Sequence, residues 1–254
     1  MYFSAARTSA YLTSLLDLLS SPLTNPPPAS TARLDAQIDI FFIPDLLTVA
    51  PCAERLSRPH NHSQVNILLG AQDCAPDTHG PFTGEVSPAV LAELGVRMVE
   101  LGHAERRGLF GETDEDVAAK AKAVVQCRMV PLVCVGEKER GGVEDAVREV
   151  MGQVRGVLEA VGGEAEVVLA YEPVWAIGAE EPAGVEHVVG VVKAVRGSEE
   201  VKGRKGEVRI VYGGSAGPGL FQKLGGEVDG LFLGRFAHDP GQFYRTICEV
   251  AEGC

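Results

Sequence analysis

Short apolar stretches rich in β-branched residues recur along the chain, and segments with helical periodicity separate them. Their spacing, roughly 20 to 40 residues, is typical of β-α repeats. Strands that are apolar throughout and alternate with helices indicate a parallel sheet covered on both faces. The pattern alone leaves a doubly wound sheet and a closed barrel open. The predicted strands are Ile38–Ile43, Val65–Leu69, Val96–Leu101, Met129–Val135, Val167–Tyr171, Val208–Tyr212 and Leu231–Leu233.

Four of the longer intervening segments repeat apolar residues at helical spacing. They predict helices over Thr113–Gln126, Val143–Val161, Val185–Arg196 and Pro240–Glu252. Thr113 is suited to cap the first of these, since acidic residues that favour the positive end of a helix dipole follow it. No stretch has the composition of a linker, so we expect residues 1–254 to form a single domain.

Composition and charge narrow the function. The chain has 35 acidic and 23 basic residues, a net charge of −12, and 45% of its residues are hydrophobic. This excess of negative charge argues against binding nucleic acid or an anionic membrane surface, but it leaves room for a local pocket that holds a small anion. No apolar stretch approaches the roughly 18 residues of a membrane span. Chemistry on a small molecule is therefore favoured.

The cysteines and histidines give no sign of a metal site. The six cysteines contain no C-x-x-C pair, and the six histidines are scattered. We expect reduced thiols, no bound metal and a cytoplasmic location.

Residues that can take part in a reaction or bind a ligand follow four of the predicted strands. His103 follows the third strand, Glu172 the fifth, the segment Gly213–Ser215 the sixth and Gly234 the seventh. In doubly wound sheets and in barrels, the carboxyl ends of the strands carry the chemistry. A carboxylate beside the apolar segment Pro173–Gly178 can become more basic, an imidazole can polarise a carbonyl, and glycine N–H groups can approach a phosphate.

Taken alone, each of these features has an ordinary structural explanation: the histidine as a structural residue, the carboxylate as a surface group and the glycines as a turn. Their joint occurrence at successive strand ends favours proton transfer on a phosphorylated small molecule, with the apolar segment as a lid that excludes water.

Five long motifs stand out along the chain. They are GPFTGEVSP (80–88), ELGHAERRGLFGETDE (100–115), PLVCVGE (131–137), VVLAYEPVWAIG (167–178) and IVYGGSAGPG (210–219). These motifs resemble the triosephosphate isomerase family: they occur in the family's order at matching spacing, and the likeness runs from about residue 38 to the end of the chain. The resemblance implies a (β/α)8 TIM barrel and a homodimer. It also implies interconversion of dihydroxyacetone phosphate and glyceraldehyde 3-phosphate, in glycolysis and gluconeogenesis, without cofactor or metal.

The resemblance also implies roles for the reacting groups. Glu172 would move a carbon-bound proton through an enediolate, and neutral His103 would donate a hydrogen bond to the substrate oxygens. Glu105 would lie beside the family's catalytic lysine. Cys134 would support the site from behind, and Thr83 would reach towards the partner subunit.

The phosphate site and the lid follow from the same motifs. Gly178, Ser215 and Gly234 would bind phosphate through backbone N–H groups, with Arg235 beside them. Trp175 would anchor the hinge of the lid, which comprises Pro173, Val174, Trp175, Ala176 and Ile177.

The chain departs from the family pattern at its beginning. The family opens with a strand that ends in Asn-x-Lys-Met, whereas this chain begins Met1-Tyr2-Phe3-Ser4 and continues into helix-like sequence. We expect the first strand and its lysine to be missing from this sequence, with Met1 an internal methionine. Loss of one such preorganised charge typically costs about 10² to 10³ in rate, so the chain as written would be impaired.

Two further departures bear on the substrate. Arg235 stands where the family has the second glycine of a Gly-Gly pair, as in relatives that act on tetrulose phosphates. An isomerase of four-carbon erythrulose phosphates is therefore an alternative to a triosephosphate isomerase. A truncated, inactive homologue that binds phosphate or partners is a third hypothesis. Glu100 lies inside a strand where the family is apolar, and the sequence offers no explanation for it.

Overall fold

The seven strands predicted from the apolar pattern are all present. The computed structural model describes residues 2–20, 38–58, 67–179 and 182–253, and every structural statement below refers to them. The strands are parallel and lie side by side in chain order in one sheet. They are β1 Ile40–Phe42, β2 Ile67–Ala71, β3 Met98–Leu101, β4 Val130–Val135, β5 Val167–Tyr171, β6 Val208–Tyr212 and β7 Gly230–Leu231.

Helices follow the strands, and the four predicted ones are confirmed to within a residue at each end. Thr113 caps the fifth helix: its hydroxyl accepts a hydrogen bond from the Asp116 N–H, and the Asp116 carboxylate accepts one from the Thr113 N–H. The helices are α1 Ala5–Ser20, α2 Val49–Ser57, α3 Pro88–Glu93, α4 Ala104–Phe110, α5 Asp114–Gln126, α6 Val143–Val161, α7 Val185–Gly197, α8 Glu199–Lys202, α9 Leu220–Lys223 and α10 Pro240–Gly253. Short 3₁₀ turns cover Leu46–Thr48, Val174–Ala176 and Arg235–His238.

Both faces of the sheet are buried, as continuous apolar strands require. On β4, Leu132 and Cys134 belong to a small inner cluster, whereas Val133 and Val135 belong to the large cluster that the helices cover. The inner cluster also includes side chains from β3, β5 and β6. Alternate residues of each strand therefore point into the barrel and out towards the helices.

The sheet curls until its two ends approach each other. The rings of Phe41 on β1 and Phe232 just beyond β7 lie 6.1 Å apart, although these strands are at opposite ends of the sheet. Arg209 on β6 also reaches Asp39, just before β1, with 2.6 Å between Nη1 and Oδ2. The predicted α/β architecture of a TIM barrel is confirmed. In the part of the chain that the structure describes, the wall has seven strands, and β1 does not pair with β7.

The strands at these two ends are shorter than the apolar pattern predicts. The first was expected over Ile38–Ile43 and the last over Leu231–Leu233, but each has a neighbour on one side only, which limits the residues that join a ladder. Residues 65 and 66 of the second predicted strand lie outside the described residues.

A buried ion cluster holds the segment after β3 in place. Lys120 on α5 lies 2.8 Å from Asp73, which follows β2, and also contacts Glu112 between α4 and α5. Arg106 on α4 lies 2.9 Å from the same aspartate. Buried charges need partners of this kind. The cluster therefore fixes α4, and with it the residue that begins that helix, against β2.

No helix in the described segments is long and apolar enough to cross a membrane. The cytoplasmic location stays a prediction.

Candidate active site

The predicted chemical groups meet in one cavity at the carboxyl ends of the strands. Its volume is about 1580 Å³, and it opens between the inner faces of β1 and β7. Strand-end residues from distant parts of the chain contribute to it because parallel strands end at the same edge of the barrel. The predicted site residues that line it are His103, Glu105, Glu172, Ile177, Gly178, Ser215, Gly234 and Arg235.

Glu172 directly follows β5, and its side chain is 8% exposed. A Cβ atom on Gly213 would lie 2.3 Å from the Glu172 Oε1 atom, so only glycine permits the carboxylate to pack there. Burial raises the pKa of Glu172 to about 7, while the hydrogen bond from the Cys134 thiol lowers it and the charge of Glu105 raises it. A carboxyl group with this pKa exchanges protons readily at neutral pH.

His103 caps the N-terminus of α4. Its Nδ1 atom accepts a hydrogen bond from the Glu105 N–H at 3.3 Å, which places the proton of the neutral ring on Nε2. Burial lowers the pKa of His103, and the charge of Glu105 opposes that effect. The imidazole is therefore neutral at neutral pH, with its N–H directed away from the helix.

The carboxylate and the imidazole face each other. The Glu172 Oε2 atom lies 3.7 Å from the His103 Nε2 atom, and this oxygen is buried without a hydrogen-bond partner. A buried carboxylate oxygen is normally satisfied, so an unpartnered one beside a donor that faces the cavity indicates a place where a ligand binds.

Unused backbone donors lie among the other residues that line the cavity. The N–H groups of Gly178, Ser215 and Gly234 donate to no backbone carbonyl among the described residues. Ser215 has a φ of 57°, in the left-handed region that a serine adopts only at a cost, and Gly178 has a φ of 74°. Converging N–H groups on such turns form a nest that suits an anion such as a phosphate.

One carboxylate holds the first part of the lid. Glu137 follows β4 and is buried, and Trp175 donates its indole N–H to the Glu137 Oε1 atom at 2.9 Å. The Tyr171 hydroxyl donates to Oε2 at 3.1 Å, and the His187 Nε2 atom lies 2.9 Å from Oε1. Trp175 is therefore tied to the end of β4 by this hydrogen bond.

The second part of the lid is attached to the anion rim. The Ser215 hydroxyl lies within 3.0 Å of the Ala176 carbonyl and 3.1 Å of the Ala179 carbonyl. Arg235 donates from Nη2 to the Gly178 carbonyl at 3.1 Å. Because the same residues border the anion nest and hold the lid, an anion in the nest and the position of the lid are coupled.

The other predicted residues lie around this centre. Cys134 is buried behind Glu172. Glu105 has a side chain that is 70% exposed, with 3.9 Å between its carboxylate and the His103 Nδ1 atom. Thr83 is exposed on the long loop between β2 and α3. Among the described residues that line the cavity there is no lysine.

Sequence reasoning assigned no role to Glu137, and it considered Gly213 only for an N–H group that could approach a phosphate. Both follow a strand, β4 and β6 respectively, so the strand-end rule that selected His103 and Glu172 also applies to them. However, Glu137 contacts residues that are 34 to 50 positions away in the chain. Gly213 packs against the Glu172 side chain. No local pattern reports such contacts.

Comparison with known proteins identifies the family. Residues 28–251 match the family model of triosephosphate isomerase. The chain belongs to the triosephosphate isomerase family. It is 41% identical to the L-erythrulose-1-phosphate isomerase of Pectobacterium atrosepticum, over 98% of this chain and 92% of that protein. It is 40% identical to the L-erythrulose-1-phosphate isomerase of Rhizobium etli, over 85% of this chain and 81% of that protein. The triosephosphate isomerase of Rubrobacter xylanophilus is 38% identical, over 87% of this chain and 90% of that protein.

Membership of the triosephosphate isomerase family agrees with the geometry. A carboxylate and a neutral imidazole that face one cavity are the pair that triosephosphate isomerases use to move a proton between adjacent carbons. Relatives named for a three-carbon phosphate and relatives named for a four-carbon phosphate both match. Family membership therefore does not decide between these two substrates.

The position of the ring proton of His103 is directly measurable. We expect the ¹⁵N resonances of His103 to be those of a neutral ring protonated on Nε2, with an apparent pKa below the usual 6.5, because burial disfavours the imidazolium. Since the pKa is lowered, the neutral form persists as the pH falls through 6.5. A spectrum of ¹⁵N-histidine-labelled protein against pH gives both quantities, and His103→Gln assigns the signal. An imidazolium at pH 7, or a proton on Nδ1, contradicts the described hydrogen bond.

Proposed function

We propose that this protein is an isomerase of four-carbon ketose phosphates, with L-erythrulose 1-phosphate as the substrate. The observation that carries the proposal is the unpartnered Glu172 Oε2 atom, 3.7 Å from the His103 Nε2 atom in a cavity that also contains the anion nest. Such a site suits a ligand with a carbonyl, an acidic C–H bond and a phosphate.

Glu172 acts as the base in this proposal. In erythrulose 1-phosphate the carbonyl is at C2 and the removable hydrogen at C3. The Glu172 carboxylate takes the C3 proton, the electron pair of that bond forms the C2–C3 double bond, and the carbonyl oxygen becomes an enediolate oxygen. The carbon-bound proton is then returned to C2, the proton of the C3 hydroxyl moves to the oxygen on C2, and the carbonyl re-forms at C3. The product is a ketose phosphate whose carbonyl has moved by one carbon. No other reactant is consumed.

His103 and the rim support the same reaction. The His103 Nε2–H donates to the oxygens on C2 and C3, where negative charge develops, and preorganised donors of this kind are among the largest contributions to catalysis. The N–H groups of Gly178, Ser215 and Gly234 hold the phosphate, and Arg235 adds positive charge beside them. The apolar lid excludes water, which protects an enediolate phosphate from side reactions.

The four-carbon substrate is favoured by two observations. Four of the relatives, including the one that is 41% identical over 98% of the chain, are named L-erythrulose-1-phosphate isomerase. The Gly234-Arg235 step also replaces the Gly-Gly pair that the three-carbon enzymes commonly have at the phosphate. Arg235 donates to the lid at Gly178, so it changes both the charge and the lid contacts of this rim.

Triosephosphates are the second candidate substrate. Relatives named triosephosphate isomerase match at 38% and 39% identity over 87% and 72% of this chain, respectively. The Glu172 and His103 pair serves a three-carbon ketose phosphate by the same steps. A direct comparison of the two substrates therefore decides between them.

Turnover of the two substrates tests the proposal. We expect kcat/KM for L-erythrulose 1-phosphate to exceed that for dihydroxyacetone phosphate by at least about tenfold, followed by ¹H NMR with purified protein. Glu172→Gln removes the base at nearly constant volume and should lower kcat by about 10³-fold, within the range for general base catalysis. Glu115→Gln, an exposed carboxylate on α5, is the matched control and should leave kcat unchanged.

Three results contradict this proposal. A preference for dihydroxyacetone phosphate identifies a triosephosphate isomerase. Turnover that survives in Glu172→Gln belongs to another protein in the preparation. No turnover of either phosphate by the unaltered protein favours the third hypothesis, an inactive homologue that binds phosphate or partners.

We also infer that the protein forms a homodimer. Thr83 lies on the exposed loop after β2, and several large apolar side chains are exposed at the protein surface: Leu47 is 90% exposed, Leu109 76% and Phe110 70%. Large exposed apolar side chains are typical of an interface between subunits.

Sedimentation velocity tests the homodimer. At micromolar concentration we expect a species of twice 26.9 kDa, and Thr83→Arg should raise the dimer dissociation constant at least about tenfold, because it places bulk and charge in an apolar interface. Ser14→Arg, an exposed position on α1, is the control and should leave the dimer intact. A single 26.9 kDa species, or equal effects of both variants, contradicts the inference.

A further inference from the structure

Glu100 lies on the inner wall of the barrel below the reacting pair. It is on β3 between Val99 and Leu101, which point outwards into the helix-covered core, and it shares the inward side with Met98. In the ladder with β4 it pairs with Leu132, another member of the inner cluster. Glu100 is partly buried and lines the same cavity as Glu172 and His103. Its carboxyl group therefore projects into the space where a ligand lies.

This carboxyl group has no partner among the described residues. None of them donates a hydrogen bond to it or forms an ion pair with it. The inner cluster around it is apolar apart from the Cys134 thiol, with Met98, Leu132, Val168 and Val211 as members. An unpaired acid on an apolar wall weakens the fold, since burying a polar group without a partner is unfavourable. A residue of this kind is expected where it serves a ligand.

The surroundings of Glu100 favour its protonated form at neutral pH. Burial, with the negative charges of Glu172, Glu105 and Asp73 in support, raises its pKa to about 8. A protonated carboxyl group can donate one hydrogen bond and accept others, as a hydroxyl ligand requires. It also adds no second negative charge beside the base or the phosphate.

When the phosphate of a substrate lies in the anion nest, the opposite end of the substrate points towards β3. The anion nest follows β5, β6 and β7, whereas the reacting carbons lie between Glu172 and His103. A carbon attached beyond the reacting pair points away from the nest, towards the side of the barrel where Glu100 lies. Dihydroxyacetone phosphate has no such carbon. Erythrulose 1-phosphate has one, C4, which carries a hydroxyl group.

We propose that Glu100 is a specificity-determining residue, whose carboxyl group hydrogen-bonds the terminal C4 hydroxyl of a four-carbon ketose phosphate. The inference rests on the proposed function, since it concerns the substrate of that same site. A pocket group that is satisfied only by a substrate hydroxyl rejects an analogue that lacks it, because the group then remains unpaired. Glu100 would thus favour four carbons over three without taking part in proton transfer.

A substrate that lacks only the C4 hydroxyl isolates this contact. We compare L-erythrulose 1-phosphate with its 4-deoxy analogue, 3-hydroxy-2-oxobutyl phosphate, and with dihydroxyacetone phosphate. The unaltered protein should prefer the hydroxylated substrate over the deoxy analogue by at least about tenfold in kcat/KM, the equivalent of one hydrogen bond.

Substitutions at Glu100 should remove that preference selectively. Glu100→Leu keeps the size of the side chain but no hydrogen-bonding group, and it should lower kcat/KM for L-erythrulose 1-phosphate at least tenfold. Its kcat/KM for the deoxy analogue should change less than twofold. Glu100→Gln retains a donor and an acceptor and should keep most of the preference. Glu115→Leu, on the exposed face of α5, is the matched control and should change neither.

Each other outcome overturns the inference. Equal losses on all three substrates assign Glu100 to the structure of the barrel or to pairing with a cation, and no discrimination by the unaltered protein excludes a contact with the C4 hydroxyl. Should Glu100→Leu fail to fold, as judged by circular dichroism, Glu100→Ala must show the same selective loss. Failure of the proposed function is distinguishable, because the unaltered protein then turns over dihydroxyacetone phosphate in preference to L-erythrulose 1-phosphate.

Discussion

The site depends on keeping the carboxylate of Glu172 out of water. A carboxyl group in this position loses its hydration, and this loss raises its pKa to about 7. The same group in water would be a weaker base by more than two pKa units. The barrel provides the dry position in two ways. Gly213 leaves room for the carboxylate against β6, and Cys134 donates a thiol from behind while one oxygen stays unpartnered.

The remaining parts of the site serve this carboxylate. The neutral imidazole of His103 supplies a donor without adding a positive charge that would lower the pKa of Glu172. The lid is fixed at one end by Trp175 on Glu137 and at the other by Ser215 and Arg235 on its backbone. These contacts join the ends of β4, β5, β6 and β7, so the burial of Glu172 depends on the barrel and not on the lid sequence alone.

The sequence predicted most of the fold because its strands are buried on both faces. The fifth and sixth strands were predicted over the residues that form them, and Thr113 caps α5 as its side chain suggested. The strands at the ends of the sheet were predicted too long, since apolar composition does not report whether a strand has one neighbour or two. The strand-end rule placed His103, Glu172, Ser215 and Gly234 in one cavity.

Contacts between distant residues were not predictable. The lid anchor on Glu137 joins residues 34 to 50 positions apart, and no local pattern encodes such a pairing. The sequence showed Glu100 as an acid in an apolar strand. Only the structure showed that β3 turns this residue inwards, into the cavity that contains Glu172. Sequence reasoning thus named residues that meet in one cavity, whereas the contacts around them became clear only from the structure.

Solvent exchange at carbon tests the role of Glu172 most directly. When L-erythrulose 1-phosphate is converted in D2O, the proton held by the Glu172 carboxyl group exchanges with solvent before it is returned. We therefore expect deuterium in the product at the carbon that first held the carbonyl, detected by ²H and ¹³C NMR. Product that carries the original hydrogen at that carbon, with no deuterium incorporated, contradicts the exchange of a proton held by the Glu172 carboxyl group.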